Sequence, residues 1–471
     1  MLVLQQSNKE IISYLGGYQI KKQNRNYRFN NYILIYQYNE EILLIGNLFT
    51  GSCIEIKTYE FDNLFTNYDY DYVDYCIKNY FIVPENFDED LHIKEARNKL
   101  QKTLDITFYD HLNYFTIMTT SQCNARCPYC YEKNIKNKKH MSAEIAEKVA
   151  RFIIENSDHI KDPINLCWYG GEPLYNIEPI NIITNRIKAS NIKFKASMIS
   201  NGYLLNEHLI NKVVYEWNIK DIQITLDGMN EKYNNTKNYI YKDDPNPFNT
   251  IINNIKLLIS NHIVVSLRLN LNNANYQDIK ELVFYLCEEF KNHPNKNALS
   301  IYIARLHEYN LSDEYIKELV EHLLELTEIV TMNGFNVINM FHGINFLNCC
   351  ADSHYGIIIN ENGYICNCQH YIDKNFIGHI DKPNEYDFEQ VKSFMEYEEY
   401  TELCDDCFYK PACKRLKMCP INKLKCDENW KKYLKFNTIY TMIGLYHNVI
   451  NNLINQPDKD NKCNNKQEKF C

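Results

Sequence analysis

The sequence predicts an α/β protein built on a partial (β/α)6 TIM-like barrel, with a small N-terminal winged-helix-like module ahead of it and a C-terminal cysteine-rich domain behind. Three observations carry that expectation. From Tyr114 onward, β-branched and aromatic runs alternate with amphipathic stretches, the pattern of parallel strands joined by crossover helices. Six or so repeats of this unit fit the chain, too few for a closed eight-fold barrel. The cysteines gather around Cys123 and between Cys349 and Cys426, on either side of the repeats.

A chain of 471 residues exceeds what one core serves, so several domains are expected. The boundaries are placed at 1–105, 106–340, 341–428 and 429–471, the last holding a helix and a polar tail.

In the first segment, Tyr32-Ile-Leu-Ile-Tyr-Gln-Tyr38 reads as a strand, Asn39 to Glu41 as a turn and Ile42 to Ile45 as a second strand. Another turn follows near Gly51. A helix is expected over Tyr72 to Tyr80, closed by Pro84. Three strands followed by helices suggest a small winged-helix-like module, which looks like the peptide-binding modules of enzymes that modify ribosomally made peptides; the resemblance implies that a leader peptide is added as an edge strand, with a structural cap as the plainer reading. Cys53 and Cys76 stand among apolar residues and are read as small core fillers.

Barrel strands are expected near 114–119, 164–169, 194–199, 221–226, 264–270, 299–305 and 336–340. Helices lie between them, for example Ala143 to Ile154 and Glu314 to Leu326. Active sites of parallel sheets collect at the C-terminal strand ends, and the chemically distinctive residues fall there. After Trp430 an amphipathic helix is expected to pack on the barrel, and Cys463 and Cys471 in the polar tail are given no role.

Composition narrows the functional classes. A net charge of −9 offers no basic surface for nucleic acid. No apolar run reaches membrane-spanning length and the N-terminus has no signal-peptide pattern, so a cytoplasmic protein with no membrane partner is expected. Eighteen cysteines without an export signal point to metal rather than disulfides.

The central motif is Cys123-Asn-Ala-Arg-Cys127-Pro-Tyr-Cys130, directly after the strand at 114–119. Three thiolates so close together suit zinc or an iron–sulfur cluster, and a cubane held by three cysteines keeps one iron open. A zinc knuckle is the competing reading. After the second strand comes Tyr169-Gly170-Gly171-Glu172-Pro173, in which two glycines allow close backbone approach and a carboxylate can accept from an ammonium group. The third strand ends in Ser200-Asn201-Gly202 and the fourth in Thr225-Leu-Asp227-Gly228, with Gln223, Thr225 and Asp227 on one face.

These motifs, in this order, resemble the radical S-adenosylmethionine (SAM) superfamily, with Tyr129 as the aromatic residue of its cysteine signature. The resemblance implies a [4Fe–4S] cluster on Cys123, Cys127 and Cys130 with SAM chelated at the open iron. It further implies that Gly170, Gly171 and Glu172 meet the SAM amino group and that Ser200, Asn201 and Thr225 line the pocket. Lys237 falls where the family often has an arginine for the SAM carboxylate, keeping the charge without the fork. Arg268 and Asn270 match a polar pair near the ribose or substrate, or else form an internal cap.

The C-terminal cysteines are similar to the SPASM extension of that superfamily, which holds two auxiliary [4Fe–4S] clusters. Cys350-x12-Gly363-x4-Cys368 and Cys404-x2-Cys407-x5-Cys413 fit its pattern, while Cys413-x5-Cys419 is longer than its usual spacing. By resemblance, Cys404, Cys407, Cys413 and Cys426 hold the outer cluster. Cys350, Cys368 and Cys419 hold the inner one, with Cys349 as fourth ligand and Cys366 as the alternative.

The expected function is that of a radical SAM peptide maturase, forming a thioether or carbon–carbon cross-link in a precursor peptide with a leader. A flavodoxin- or ferredoxin-type reductant would supply electrons. The alternatives are an anaerobic sulfatase-maturating enzyme and a non-catalytic zinc-stabilised binding protein. For the acid–base residue, Asp227, Tyr169 and Glu308 are positional candidates.

Overall fold

The computed structural model describes residues 1–7, 9–14, 26–66, 70–96, 98, 112–135, 137–157, 160–306, 312–337, 355–382, 385–396, 400–413, 418 and 426–454. Near the N-terminus, β1 (Leu2–Gln5), β3 (Ile33–Gln37), β4 (Ile42–Asn47) and β5 (Ser52–Lys57) form an antiparallel sheet in the order β1-β5-β4-β3. The turn between β3 and β4 is set by Asn39, whose Oδ1 accepts from the N–H groups of Glu41 (3.0 Å) and Ile42 (2.9 Å). Gly51, at φ +75°, makes the next turn. Cys53 and Cys76 are buried in the module's core, as expected of fillers.

The expected closure of the helix at Pro84 is not what happens. The helix Asp71–Lys78 ends because Tyr80 takes φ +58°, with Phe81 N–H bonding back to Cys76 O (2.8 Å). Pro84 belongs to β6 (Ile82–Pro84), which pairs with β2 (Tyr27–Phe29).

Six parallel strands form the centre: β7 (Tyr114–Thr120), β8 (Ile164–Gly170), β9 (Phe194–Ser200), β10 (Ile219–Leu226), β11 (Val264–Leu271) and β12 (Leu299–Arg305). They run in the order β12-β11-β10-β9-β8-β7, with crossover helices such as Ala143–Ser157 and Pro247–Ser260 between them. Of the seventh expected strand, Asn336 makes a parallel bridge to Ser300, and residues 338–340 lie outside the described residues. The sheet instead continues beyond β7 through the parallel strand β13 (Gly356–Ile359). From there it passes to β14 (Tyr364–Cys366) and β15 (Gly378–His379). Gly363, at φ +86°, makes the tight turn of the β13–β14 hairpin that the sequence places there.

Alternation divides each strand. On β10, Ile222, Ile224 and Leu226 are fully buried in the core, while Gln223 and Thr225 face the other way and are half-buried. On β11, Leu267 and Leu269 are core residues and Ser266, Arg268 and Asn270 share the opposite face. One side of the barrel wall is thus apolar, and the other presents hydrogen-bonding groups to the lumen.

The helix Glu428–Ile454 differs from the expected amphipathic one, being buried on every side from Thr438 to Leu445. The reason is that it has two neighbours, the helix Asp313–Met332 and strands β1 and β4 of the N-terminal sheet. Asn448 receives the N–H of Val337 (2.9 Å) and donates to its carbonyl (2.6 Å), while Tyr38 Oη and His447 Nε2 stand 3.1 Å apart. Among the described residues, no helix is long and apolar enough to cross a membrane.

Candidate active site

The cysteine loop begins where β7 ends, and a strap formed by residues 137–141 pins it. Ser121 N–H donates to Lys139 O (3.0 Å), Lys139 N–H to Ser121 Oγ (2.9 Å), and Met141 N–H to Thr119 O (2.9 Å). Cys123, Cys127 and Cys130 are all half-buried on this loop. Burial pushes the Cys123 thiol up to about 12, and the nearby Glu172, Cys127 and Cys130 add to the rise against a bond from Ala125 N–H. Ionising three such thiols together requires a positive centre among them, which a metal or cluster supplies. Asn201 Nδ2 donates to Cys123 Sγ (3.9 Å) and to Asn124 Oδ1 (2.7 Å). Asn124 is fully buried, and its own Nδ2 has no hydrogen-bond partner. Three soft donors beside an orphaned buried amide fit a bound group carrying both metal and acceptors.

The Gly-Gly-Glu turn packs directly against the entry to the cysteine loop. A Cβ on Gly170, whose φ is +123°, would stand 2.2 Å from Thr120 O, and one on Gly171 would stand 2.2 Å from Gln122 O. Gly171 N–H donates to Thr120 O and Glu172 N–H to Gln122 O, both at 3.0 Å. The close approach is therefore to the backbone that leads into the cysteines. Glu172 is fully buried and accepts from Leu174 N–H (3.1 Å), Ser200 Oγ–H (2.8 Å) and Asn201 N–H (2.7 Å). Burial pushes its carboxyl up to about 7, with those donors limiting the rise. Three protein donors thus converge on this carboxylate and clasp the ends of β8 and β9.

Beyond β10, Asp227 and Lys237 form a buried ion pair at 2.8 Å, each side chain 4 % exposed. Tyr129 Oη donates to Asp227 Oδ2, and Asn270 Nδ2 to Asp227 Oδ1 (2.8 Å). Arg268 Nε in turn donates to Asn270 Oδ1 (3.0 Å). Burial works to raise the Asp227 carboxyl, but the Lys237 charge and the bonds from Lys237, Tyr129 and Asn270 outweigh it and hold it low. Burial likewise works against the Lys237 ammonium, and Asp227 with Tyr129 and Cys127 reverses this, holding it well above its ordinary value. Lys237 O also accepts from Arg126 N–H (2.7 Å), tying the helix Asn230–Lys237 to the cysteine loop. Thr225 is half-buried in register with Arg268, and Gln223 Oε1 accepts from Tyr302 Oη (2.8 Å).

Among the acid–base candidates, Asp227 is thus fixed as an anion, and Glu308 lies outside the described residues. Tyr169 is buried in an apolar cluster with Met118, Ile358, Cys366 and Ile372. Burial pushes its hydroxyl up, with Cys130 adding, Arg268 opposing and Cys368 adding. It therefore stands between the first cysteine loop and the C-terminal hairpin.

Cys366, Cys368, Cys404, Cys407, Cys413 and Cys426 are described, whereas Cys349, Cys350 and Cys419 lie outside the described residues. Cys404 and Cys407 are joined by Cys407 N–H to Cys404 O (3.2 Å), and Cys413 follows through Lys410. Lys431 feels both Cys407 and Cys426, which brings Cys426 to this group. Asn367, between Cys366 and Cys368, is fully buried with both polar side-chain atoms unpartnered.

Sequence reasoning missed Asn124, one asparagine in an asparagine-rich chain, and Glu132, which is buried with Oε2 unpartnered. It also missed the bond from Ser121 Oγ to Glu361 Oε1 (3.0 Å), which joins the cysteine loop to the C-terminal hairpin.

Residues 117–286 match the family model of the radical SAM superfamily. A cysteine-type anaerobic sulfatase-maturating enzyme of Clostridium novyi is 23 % identical over 335 residues, covering 63 % of this chain and 84 % of the relative. A GTP 3′,8-cyclase of Clostridium perfringens is 31 % identical over 124 residues, 26 % of this chain and 36 % of the cyclase. An uncharacterised protein of Synechocystis is 26 % identical over 151 residues, 30 % of this chain and 37 % of that protein. The chain thus spans about a third of the length of these last two and most of the first. A solved structure of native anSMEcpe with bound AdoMet and the Kp18Cys peptide superposes with a TM-score of 0.54 at 17 % identity. It covers 72 % of this chain and 99 % of that one.

Proposed function

We propose, on the premise that this chain belongs to the radical SAM superfamily through the domain at residues 117–286, that it modifies a ribosomally made peptide by radical chemistry. The cofactors of that superfamily, a [4Fe–4S] cluster and SAM, together supply a 5′-deoxyadenosyl radical that takes a hydrogen atom from a substrate. In this chain Cys123, Cys127 and Cys130 would hold the cluster. Gly170, Gly171 and Glu172 keep the loop against the strand ends, and Asn201 donates toward Cys123. Ser200, Thr225, Lys237, Arg268 and Asn270 would form the wall around bound SAM. Asp227, held as an anion by Lys237, Tyr129 and Asn270, would position those groups rather than exchange a proton. Cys404, Cys407, Cys413 and Cys426 would hold an outer auxiliary cluster, and Cys368 an inner one with Cys349, Cys350 and Cys419.

The observation that carries this reading is the three-cysteine loop clamped at the C-terminal end of a parallel barrel with a polar lumen. A peptide substrate is supported by the N-terminal sheet, whose outer strand β3 has no neighbour on its far side among the described residues. The bonds Tyr38 N–H to Ile42 O and Leu48 N–H to Tyr32 O set the parity of the ladder, leaving the N–H groups of Ile35 and Gln37 on the free edge. A leader could pair there.

Anaerobic reconstitution is expected to give a brown protein with about twelve irons from three cubanes. It should release 5′-deoxyadenosine from SAM under dithionite. Substituting Cys123, Cys127 or Cys130 by alanine should abolish that release, and persistence of the product in these variants would overturn the assignment. A sulfatase-maturating activity is the second reading, favoured by the match over 84 % of the Clostridium novyi relative. Mass analysis of a peptide co-expressed with the enzyme separates the two. A loss of two hydrogens with no carbonyl that a hydrazine can capture marks a cross-link, and a hydrazine-reactive aldehyde in place of a thiol or hydroxyl marks formylglycine.

A further inference from the structure

The negative charge of this chain is concentrated in its N-terminal module. Residues 33–91 hold twelve acids against two lysines, Lys57 and Lys78, whereas the rest of the chain holds 48 acids against 49 basic residues. Three of the twelve meet a cation: Glu60 pairs with the N-terminal ammonium, Glu89 with Arg28 and Asp90 with Lys410. Glu40, Glu41 and Asp62 are exposed and make no ion pair among the described residues. Against these three stands one base, Lys57, half-buried at the end of β5.

The three acids flank the free edge of β3. Glu40 and Glu41 stand in the turn where that strand ends. The helix Thr58–Asp62 starts at the same turn, since Thr58 N–H donates to Glu41 O (2.9 Å) and Thr58 Oγ–H to Glu40 O (3.0 Å). Near its other end the Phe61 ring stacks at 5.4 Å on Phe29, just ahead of β3. The helix therefore lies along β3, over the face that carries Ile33, and finishes in Asp62. Alternation puts Ile35 and Gln37 on that same face, and Ile35 is 41 % exposed. Along the edge itself, the N–H groups of Ile35 and Gln37 point away from β4. Outward donors beside an uncovered apolar side chain invite another strand.

We propose that the edge of β3 takes a basic peptide segment as an added strand, with its lysine or arginine side chains meeting Glu40, Glu41 and Asp62. This rests on the reading that the chain acts on a peptide, and it names the chemistry of the segment that is held. Backbone pairing with Ile35 and Gln37 fixes the position of the segment, and charge selects its sequence, because an acidic strand placed there meets like charge. Charge also disfavours a second copy of this chain, since β3 against β3 brings two sets of the same acids together.

The test uses the full-length protein and two fluorescein-labelled synthetic peptides of about ten residues, one alternating lysine with valine and the other glutamate with valine. By fluorescence anisotropy at low ionic strength, the lysine peptide should bind about tenfold more tightly, and the margin should narrow as salt is added. In Glu40→Lys/Glu41→Lys/Asp62→Lys the preference should pass to the glutamate peptide, with the melting temperature within a few degrees of wild type. Replacing the valines of the lysine peptide by prolines keeps its charge but removes strand pairing, and should abolish binding. Equal affinity for the two peptides, binding of neither, a preference that survives the triple substitution, or retention of the proline peptide would each overturn the proposal. So would a wild-type dimer in size-exclusion chromatography that Ile35→Pro dissolves, which would assign the edge to a second copy. If anaerobically reconstituted enzyme releases no deoxyadenosine from SAM, the functional reading fails, and the affinities still decide what β3 holds.

Discussion

At the scale of single residues, the Asp227–Lys237 pair shows how the site holds charge away from water. Its partners supply what solvent would, so removing one leaves an uncompensated buried charge, at a cost of about 3–5 kcal/mol. The folded carboxyl lies below its unfolded value, so its contribution is complete above the ordinary carboxylate range and is lost as pH falls through it. The folded ammonium lies above its ordinary value, so its contribution disappears only in strong alkali. Asp227→Asn should therefore lower unfolding free energy at neutral pH, with the difference from wild type shrinking below about pH 4, as denaturant titrations across pH would report. A difference that grows in acid would contradict the pairing.

Gly171 offers a sharper test at the same scale. A methyl group placed 2.2 Å from Gln122 O cannot be absorbed without moving the cysteine loop. Gly171→Ala should cost reconstituted protein about a third of its iron, the share of one cubane in three, while the C-terminal sites keep theirs. Iron and sulfide analysis checks this, and a full iron complement would sink it.

At the scale of elements, the parallel strands were legible because each is a short run of β-branched and aromatic residues between helical stretches. Period-two burial on β10 and β11 then put Arg268, Asn270, Gln223 and Thr225 on one face, as the alternation indicated. What stayed hidden depends on partners far away in the chain. Nothing local reveals that Thr120 and Gln122 run beside Gly170 and Gly171. Pro84 looked like a helix stop, since a left-handed tyrosine carries no composition signal. The Glu428–Ile454 helix was misjudged because a second covering layer leaves no polar face to read. The edge strand β3 supports its own test. Ile35→Pro removes an outward N–H while keeping the ladder to β4, so it should abolish binding of a peptide that pairs at this edge with little change in melting temperature. Fluorescence anisotropy with a labelled peptide would show it, and unaltered affinity would remove β3 from the recognition site.

At the scale of the whole molecule, the N-terminal sheet, the barrel and the C-terminal domain are fastened to one another. The sheet covers one side of the Glu428–Ile454 helix, whose other side lies on the barrel. Lys410, between Cys407 and Cys413, pairs with Asp90 at 2.9 Å, and Asp90 also accepts from Tyr32 beside β3. Deleting residues 1–105 would bare the apolar face around Tyr446 and His447 and remove Asp90 from Lys410. The truncated protein should elute as aggregates in size-exclusion chromatography, whereas a freely detachable module would leave a monodisperse remainder.

The Tyr32–Asp90–Lys410 contact has a practical consequence for engineering. Chimaeras that transplant the N-terminal sheet of a related protein would need to bring along an acidic residue matched to Lys410, or replace that lysine as well. Grafts chosen without regard to this contact would inherit a mismatched seam next to Cys407 and Cys413.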